Sequence, residues 1–367
     1  MSDLARVAAL VAEERLLAAA GGNSILPLTG APKVALPAHV RAAAHEAVDR
    51  GEVRLPSRGL PRLREAIADA IRRQSGRELD PESEILITNG AMQALSVTLR
   101  ALLRGAGEVL IPAPAFMFDG ILSEAGVRAR FVRGSEPPRW GWSVSALESA
   151  ITRDTSAVIL CNPENPTGYV PDTETVKAVS AIASERGLLL VADESYSRFV
   201  YAPARHSSFA AVADPKRSVL IGSMSKNYAM SSWRLGFIAA DADLVRECLP
   251  VLEWDSIRCG YVGQAAAAAA VSGPQEWMDR VVASYRKNRD QASTMNLPGQ
   301  KTPRPDGAAF LFVRFGDAQG LHRAGIPAVP GEAFKTPGYV RIPFGGPIEA
   351  IHELDHRLAS AFLTVSI

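Results

Sequence analysis

Cysteine is scarce in this chain. The three present, Cys161, Cys248 and Cys259, cannot form an even disulfide framework and share no ligand spacing, so we expect a reducing, cytoplasmic setting and no metal centre. An excess of one charge is lacking as well. Forty Lys+Arg stand against 39 Asp+Glu, a balance unsuited to a chain whose main task is to neutralise a nucleic acid or an anionic membrane surface. The apolar start is broken by Arg6, Glu13, Glu14 and Arg15, so neither a secretory leader nor a membrane span is expected. Lysine is rare too, with only seven among the 40 basic residues, which makes any lysine in a patterned context easy to single out. What remains is ordinary globular material. Hydrophobic residues make up 47% and charged residues 22%, and 367 residues exceed what one compact core usually serves.

Between Pro81 and Ala240, short apolar runs alternate with amphipathic stretches, the pattern of an α/β sheet. Seven strands are predicted: Ile85 to Thr88, Glu108 to Pro112, Val127 to Val132, Ser156 to Cys161, Leu188 to Asp193, Ser218 to Gly222 and Arg234 to Ala240. Runs such as Leu188-Leu189-Leu190-Val191 are apolar throughout, which marks strands buried on both faces of a mostly parallel sheet. Helices must then cover both faces. Leu60, Leu63, Ile67, Ala70 and Ile71 share one helical face, as do Leu95, Thr98, Leu99 and Leu102. An Ala/Leu-rich helix is expected to end at Gly21-Gly22, and Ala265 to Ala270 reads as a tightly packed helix. After Ala240 the repeated units stop, leaving a long helix, strands at Ala308 to Phe315 and Tyr339 to Phe344, and a closing helix from about Ile348. Residues 33–245 are therefore assigned to a large α/β domain, and residues 1–32 with 246–367 to an arm and a smaller α+β domain.

Three segments carry chemistry. Ser223-Met224-Ser225-Lys226 follows a buried strand, and eight residues after the lysine comes Arg234. The carboxyl ends of strands are where open α/β sheets place ligands, and a desolvated lysine there can form a Schiff base with an aldehyde. Asn162-Pro163-Glu164-Asn165-Pro166-Thr167-Gly168 ends another strand in a sharp turn, with the Asn165 amide available to a bound ring. Asp193-Glu194-Ser195-Tyr196 follows a third, where a buried acid needs a partner such as a cationic ring nitrogen.

In that order, these segments resemble the class I/II aminotransferases, fold-type I enzymes dependent on pyridoxal 5'-phosphate (PLP). The likeness runs from Leu28-Thr29-Gly30-Ala31-Pro32 through Gly59-Leu60-Pro61-Arg62-Leu63-Arg64-Glu65-Ala66-Ile67 to Gly338-Tyr339-Val340-Arg341-Ile342. The resemblance implies a seven-stranded sheet with one antiparallel strand, a homodimer, and an amino acid and a 2-oxo acid as substrates. It also implies that Lys226 holds PLP and moves the substrate Cα proton, that Asp193 pairs with the ring nitrogen, and that Asn165 and Tyr196 bond the phenolic oxygen. Phe116 would stack on the ring, while Gly90, Ala91, Met92, Ser223, Ser225 and Arg234 would take the phosphate, the first three at a helix start that favours anions. Gly30, Arg54, Asn165 and Arg341 would face the substrate, with Arg341 clamping its carboxylate.

Two departures from the family pattern stand out. Ser232 replaces a usual Gly, and Arg54 occupies the place of a Tyr that in the family reaches the neighbouring subunit's phosphate. They keep open a PLP-dependent lyase or cyclase on the same scaffold. A PLP-sensing regulator would need a DNA-binding module as well, whereas the chain begins almost directly with the aminotransferase-like arm. Arg258 is a candidate for an acidic substrate group, and Trp140 and Trp142 are expected to be packing residues.

Overall fold

The computed structural model describes residues 26–365 apart from Pro27, Glu52, Ala106, Pro137, Pro138 and Asp317. The helix expected before Gly21-Gly22 lies outside the described residues. Two helices, α1 (Ala38–Asp49) and α2 (Pro61–Ser75), precede the larger sheet. Pro61 opens α2 and Gly76, at φ 76°, closes it in the left-handed conformation that lets a helix stop. Leu63, Ile67 and Ile71 form its buried stripe.

Seven strands make the main sheet: β1 (Ile85–Thr88), β2 (Glu108–Ala113), β3 (Arg128–Arg133), β4 (Thr155–Cys161), β5 (Leu189–Asp193), β6 (Ser218–Ser223) and β7 (Gly236–Ala240), in the order β1-β7-β6-β5-β4-β2-β3. All neighbours are parallel except that β7 runs antiparallel to both β1 and β6. Every predicted strand is present. Within this sheet the one shifted by more than a residue at its start is β7, which begins at Gly236 because Arg234, at φ 52°, turns the chain out of extended geometry.

Both faces of the sheet are dry, as continuous hydrophobicity requires. Within β4, Val158 and Leu160 join the core that includes Val176 and Val179 of helix α6 (Thr173–Glu185). Ala157, Ile159 and Cys161 point the other way, into the core that includes Leu95, Val97 and Leu99 of α3 (Gly90–Leu102) and Val245 and Leu252 of α8 (Ala242–Ser256). The shorter helices α4 (Phe118–Glu124), α5 (Val144–Ala150) and α7 (Met224–Asn227) complete this part. The alanine run lies in α9 (Tyr261–Ser272), which packs on α1 with Ala266, Ala267 and Ala270 fully buried.

After α10 (Glu276–Ala292) a second sheet, in the order β8-β10-β9, joins β8 (Phe310–Arg314), β10 (Tyr339–Pro343) and the two-residue β9 (Val329–Pro330) in antiparallel register. Helix α11 (Ala318–Arg323) lies between β8 and β9, and α12 (Ile348–Val365) follows the sheet. No helix among the described residues is long and apolar enough to cross a membrane.

Candidate active site

The parallel strands β2, β4, β5 and β6 end at one edge of the main sheet, as does β1. The antiparallel β7 starts there, so the chain entering it delivers Arg234 to the same rim. A cavity of about 280 Å³ opens at this edge. Its wall includes Ala91 and Met92 after β1, Phe116 after β2, Asn165 after β4, Asp193 and Tyr196 at the end of β5, Ser223, Ser225 and Lys226 after β6, Arg234 before β7, and Arg341 from the small sheet. Residues distributed over 250 positions of sequence thus meet, and all were expected to.

One corner is built to hold an anion. Helix α3 starts at Gly90 with no side chain capping it, leaving its first N–H groups to a ligand. Arg234 donates to the Ser231 carbonyl at 3.0 Å and to Ser225 Oγ at 3.4 Å. Gly90 has φ 83°, and a Cβ there would lie 2.6 Å from Arg234 Nη2, so this position excludes side chains twice over.

At the centre, Lys226 Nζ donates to the Thr29 carbonyl at 3.2 Å and lies 5.9 Å from the Tyr196 ring centroid. The Tyr196 hydroxyl donates to the same carbonyl at 3.4 Å. Asp193 is buried and accepts from the Ser195 amide at 2.9 Å. Burial raises its pKa, opposed by the Ser195 hydroxyl and amide. Nearby acids are shifted further, Glu194 to about 8 and Glu164 to about 7, in both cases mainly by burial. Glu194 accepts from Ser208 Oγ and the Phe209 amide, and Glu164 from Trp142 Nε1 and Thr167 Oγ1.

Glu194 yields a prediction with a defined sign. In the folded protein its pKa is raised to about 8, above the ordinary 4.5 of a glutamate, so its contribution to stability is complete below about 4.5 and is lost as pH rises through about 8. Urea denaturation should show Glu194→Gln losing less stability between pH 5 and pH 8 than the parent protein. Equal losses would mean that Glu194 ionises normally.

Arg341 is buried at 7% exposure. Its guanidinium carbon lies 4.1 Å from the Phe310 ring centroid and 5.0 Å from that of Phe334. Nη1 donates to Asn165 Oδ1 at 2.9 Å and Nη2 to the Leu28 carbonyl at 3.4 Å, while Nε has no partner among the described residues. Burial lowers its pKa to about 10. A desolvated guanidinium resting on aromatic faces and neutral oxygens is a receptor for a carboxylate.

Gly30, Arg54 and Gly90 are not on the wall, although Gly90 lies against Arg234, which is. Gly30, at φ 61°, packs against Phe310, where a Cβ would lie 2.8 Å from a ring carbon, and thereby sets the position of its neighbour Thr29. Arg54 is exposed, and Arg258, also exposed, donates to the Leu55 carbonyl at 2.7 Å. Trp140 and Trp142 do pack: Trp140 lies against Phe312 and Tyr339, and Trp142 holds Glu164. Sequence reasoning passed over Thr29, Leu95, Met117, Cys161, Ser195 and Ser231, which also line the cavity. Each is within three residues of a motif or strand end that was singled out, so proximity was the available signal.

The residues fit PLP: an uncapped helix start with two serines and an arginine for a phosphate, an amine for an aldehyde, and a buried carboxyl without a cation for a ring nitrogen. The model of the class I and II aminotransferases matches residues 27–358. The aspartate aminotransferase of Pyrococcus abyssi is 32% identical over 93% of this chain and 92% of its own. Aromatic-amino-acid aminotransferase 2 of Thermococcus litoralis is 31% identical over 90% and 89%. Among solved structures, the aspartate aminotransferase of Thermus thermophilus with maleate superposes with a TM-score of 0.87 at 27% identity, covering 98% of this chain and 97% of its own.

Proposed function

The chain belongs to the class I and II aminotransferases, and from that premise we propose which of its residues do the work. It is a PLP-dependent enzyme that moves an amino group between an amino acid and a 2-oxo acid. The observation that carries the assignment of roles is the meeting of Lys226, Asp193, Asn165, Tyr196 and Arg341 on one wall. What these side chains cannot supply is a sink for the electron pair left when a Cα proton departs, and that is the chemistry bound PLP provides.

Gly90, Ala91, Met92, Ser223, Ser225 and Arg234 would hold the phosphate, and Phe116 would cover the ring. Asp193 would face the ring nitrogen, and a cation there would oppose the effect of burial on its pKa. Asn165 and Tyr196 hold the phenolic oxygen. Lys226 would bind the aldehyde and, once substrate takes its place, would move the Cα proton to the cofactor's carbon and not back to Cα, so that the amino group changes hands. Arg341 fixes the substrate carboxylate, so the proton that leaves is always the one nearest Lys226.

Arg341→Gln tests the last role. Losing a buried charge-assisted pair should cost about 2–5 kcal/mol of binding, on the order of 10²-fold in KM for every amino acid tried. An unchanged KM would remove Arg341 from carboxylate recognition.

The working form is read as a homodimer. Support comes from apolar side chains left in solvent: Met92, on the cavity wall, at 44% exposure, Ile257 at 59% and Trp254 at 92%. Asn89 and Gln93 both donate to Ser256 Oγ, which brings these residues onto one surface. A partner covering that surface would bring Arg54 and Arg258 of one protomer toward the cavity of the other. Of the cations on the wall, Arg234 is assigned to phosphate, Lys226 to aldehyde and Arg341 to the α-carboxylate, so an acidic substrate side chain would draw on those two arginines. The division into residues 33–245 and residues 1–32 with 246–367 is supported, for 33–245 and 246–367, by the two separate sheets. A cytoplasmic location is supported by the three free, buried thiols.

A further inference from the structure

Two polar side-chain atoms on the cavity wall are buried without a hydrogen-bond partner among the described residues: Arg341 Nε and Ser195 Oγ. The first belongs to a group already assigned to substrate. The second has no role in the reading above, although an unsatisfied buried hydroxyl costs about 1–3 kcal/mol and is expected to have a use.

Ser195 is 8% exposed and lies in the turn that follows β5, between Glu194 and Tyr196. Its amide already donates to Asp193 Oδ1 at 2.9 Å, which draws the Asp193 carboxyl over the Ser195 backbone. The hydroxyl is close enough to favour the Asp193 anion, yet it meets no acceptor with hydrogen-bond geometry. Every other polar group of this turn is engaged elsewhere. Glu194 faces Ser208, Phe209 and His206, and Tyr196 reaches Thr29.

We propose that Ser195 is a positioning residue for the cofactor's ring nitrogen: its hydroxyl donates to Asp193 in the loaded enzyme and keeps the shared proton on the ring. This rests on the assignment of Asp193 to that nitrogen. The physical reason lies in competition for one proton. A carboxylate in a dry pocket is a strong base and tends to take the proton from the ring, which would leave the ring neutral and a poorer electron acceptor. A hydroxyl donating to the carboxylate weakens that basicity without adding charge. The remaining titratable groups facing Asp193 do not serve this purpose. Cys161, opposite it on β4, is a buried thiol whose own proton goes to the Pro163 carbonyl, and Glu194 is held neutral by burial. Lys226 and Tyr196 both donate to Thr29.

The test uses holoenzyme loaded with PLP labelled with ¹⁵N at the ring nitrogen. In the parent protein the ¹⁵N shift should report a protonated ring across the range in which the protein is stable. In Ser195→Ala the ¹⁵N shift should move toward that of a neutral ring at every pH, because Asp193, roughly one pKa unit more basic without the hydroxyl, takes a larger and pH-independent share of the proton inside the pair. Ser195→Thr, which restores a hydroxyl, should bring it back. A purely structural serine would alter melting temperature and leave the ¹⁵N shift unmoved. If Asp193→Asn moves the ¹⁵N signal and Ser195→Ala does not, the role of Ser195 is refuted while that of Asp193 stands. If neither moves it, the assignment of Asp193 fails first.

Discussion

Lys226→Ala is expected to leave a folded protein that exchanges amino groups at least ~10³-fold more slowly, since general acid–base groups contribute about 10²–10⁴ and this lysine also anchors the cofactor. Lys226 is partly exposed and sits on the four-residue helix α7, so its loss should change melting temperature little. Turnover followed by mass spectrometry of the products, beside a thermal melt, separates the two effects. Activity within tenfold of the parent would remove Lys226 from the chemistry. The same variant tests the shared site. Mixing Lys226→Ala subunits with Arg54→Ala subunits gives dimers in which, if Arg54 acts across the interface, one site carries both lesions and the other neither. Such dimers should recover about half of the parent activity. No recovery would place Arg54 in its own subunit's site, and full activity of the Arg54→Ala homodimer would place it outside the site altogether.

Asp193→Asn is expected to lower turnover by about 10²–10³-fold, the usual cost of removing one preorganised electrostatic group. Its effect on the cofactor-free fold should be the opposite of damage. The carboxyl is buried without a cation and its pKa is raised, so an amide of the same shape relieves the cost of ionising it. Equal or higher melting temperature without cofactor, together with lost turnover, is the expected pair of results. Normal turnover with a lowered melting point would make Asp193 a turn residue, whose loss costs about 1 kcal/mol.

The strands were legible because each is a short apolar run, and a run buried on both faces has no competing reading as an exposed loop. Two edges were not. Arg234 looks like the first residue of β7, but its left-handed backbone is set by the contacts of its side chain with Ser225 and Ser231, which lie outside any strand pattern. Strand β9 is two residues long and exists only because β10 pairs with it. In the site, residues directly after strand ends were legible because chain direction alone puts them at the rim. Cys161 was not, since it looks like one more core residue of β4. Neither were the raised pKa values of Glu194 and Glu164, which come from burial by the surrounding fold and are opposed by the donors Ser208, Phe209, Trp142 and Thr167.

The reversed strand β7 also sets a timetable for biosynthesis. In the main sheet β1 touches only β7, so after Thr88 leaves the ribosome its edge waits for roughly 150 further residues, about 7–30 s at 5–20 residues per second. During that interval β2 to β6 can pair among themselves, while the anion corner stays in two pieces, Gly90 on one side and Ser223 on the other. The nascent chain would therefore be unable to capture a phosphate until the sheet closes, and cofactor loading becomes a late event that reports a finished fold.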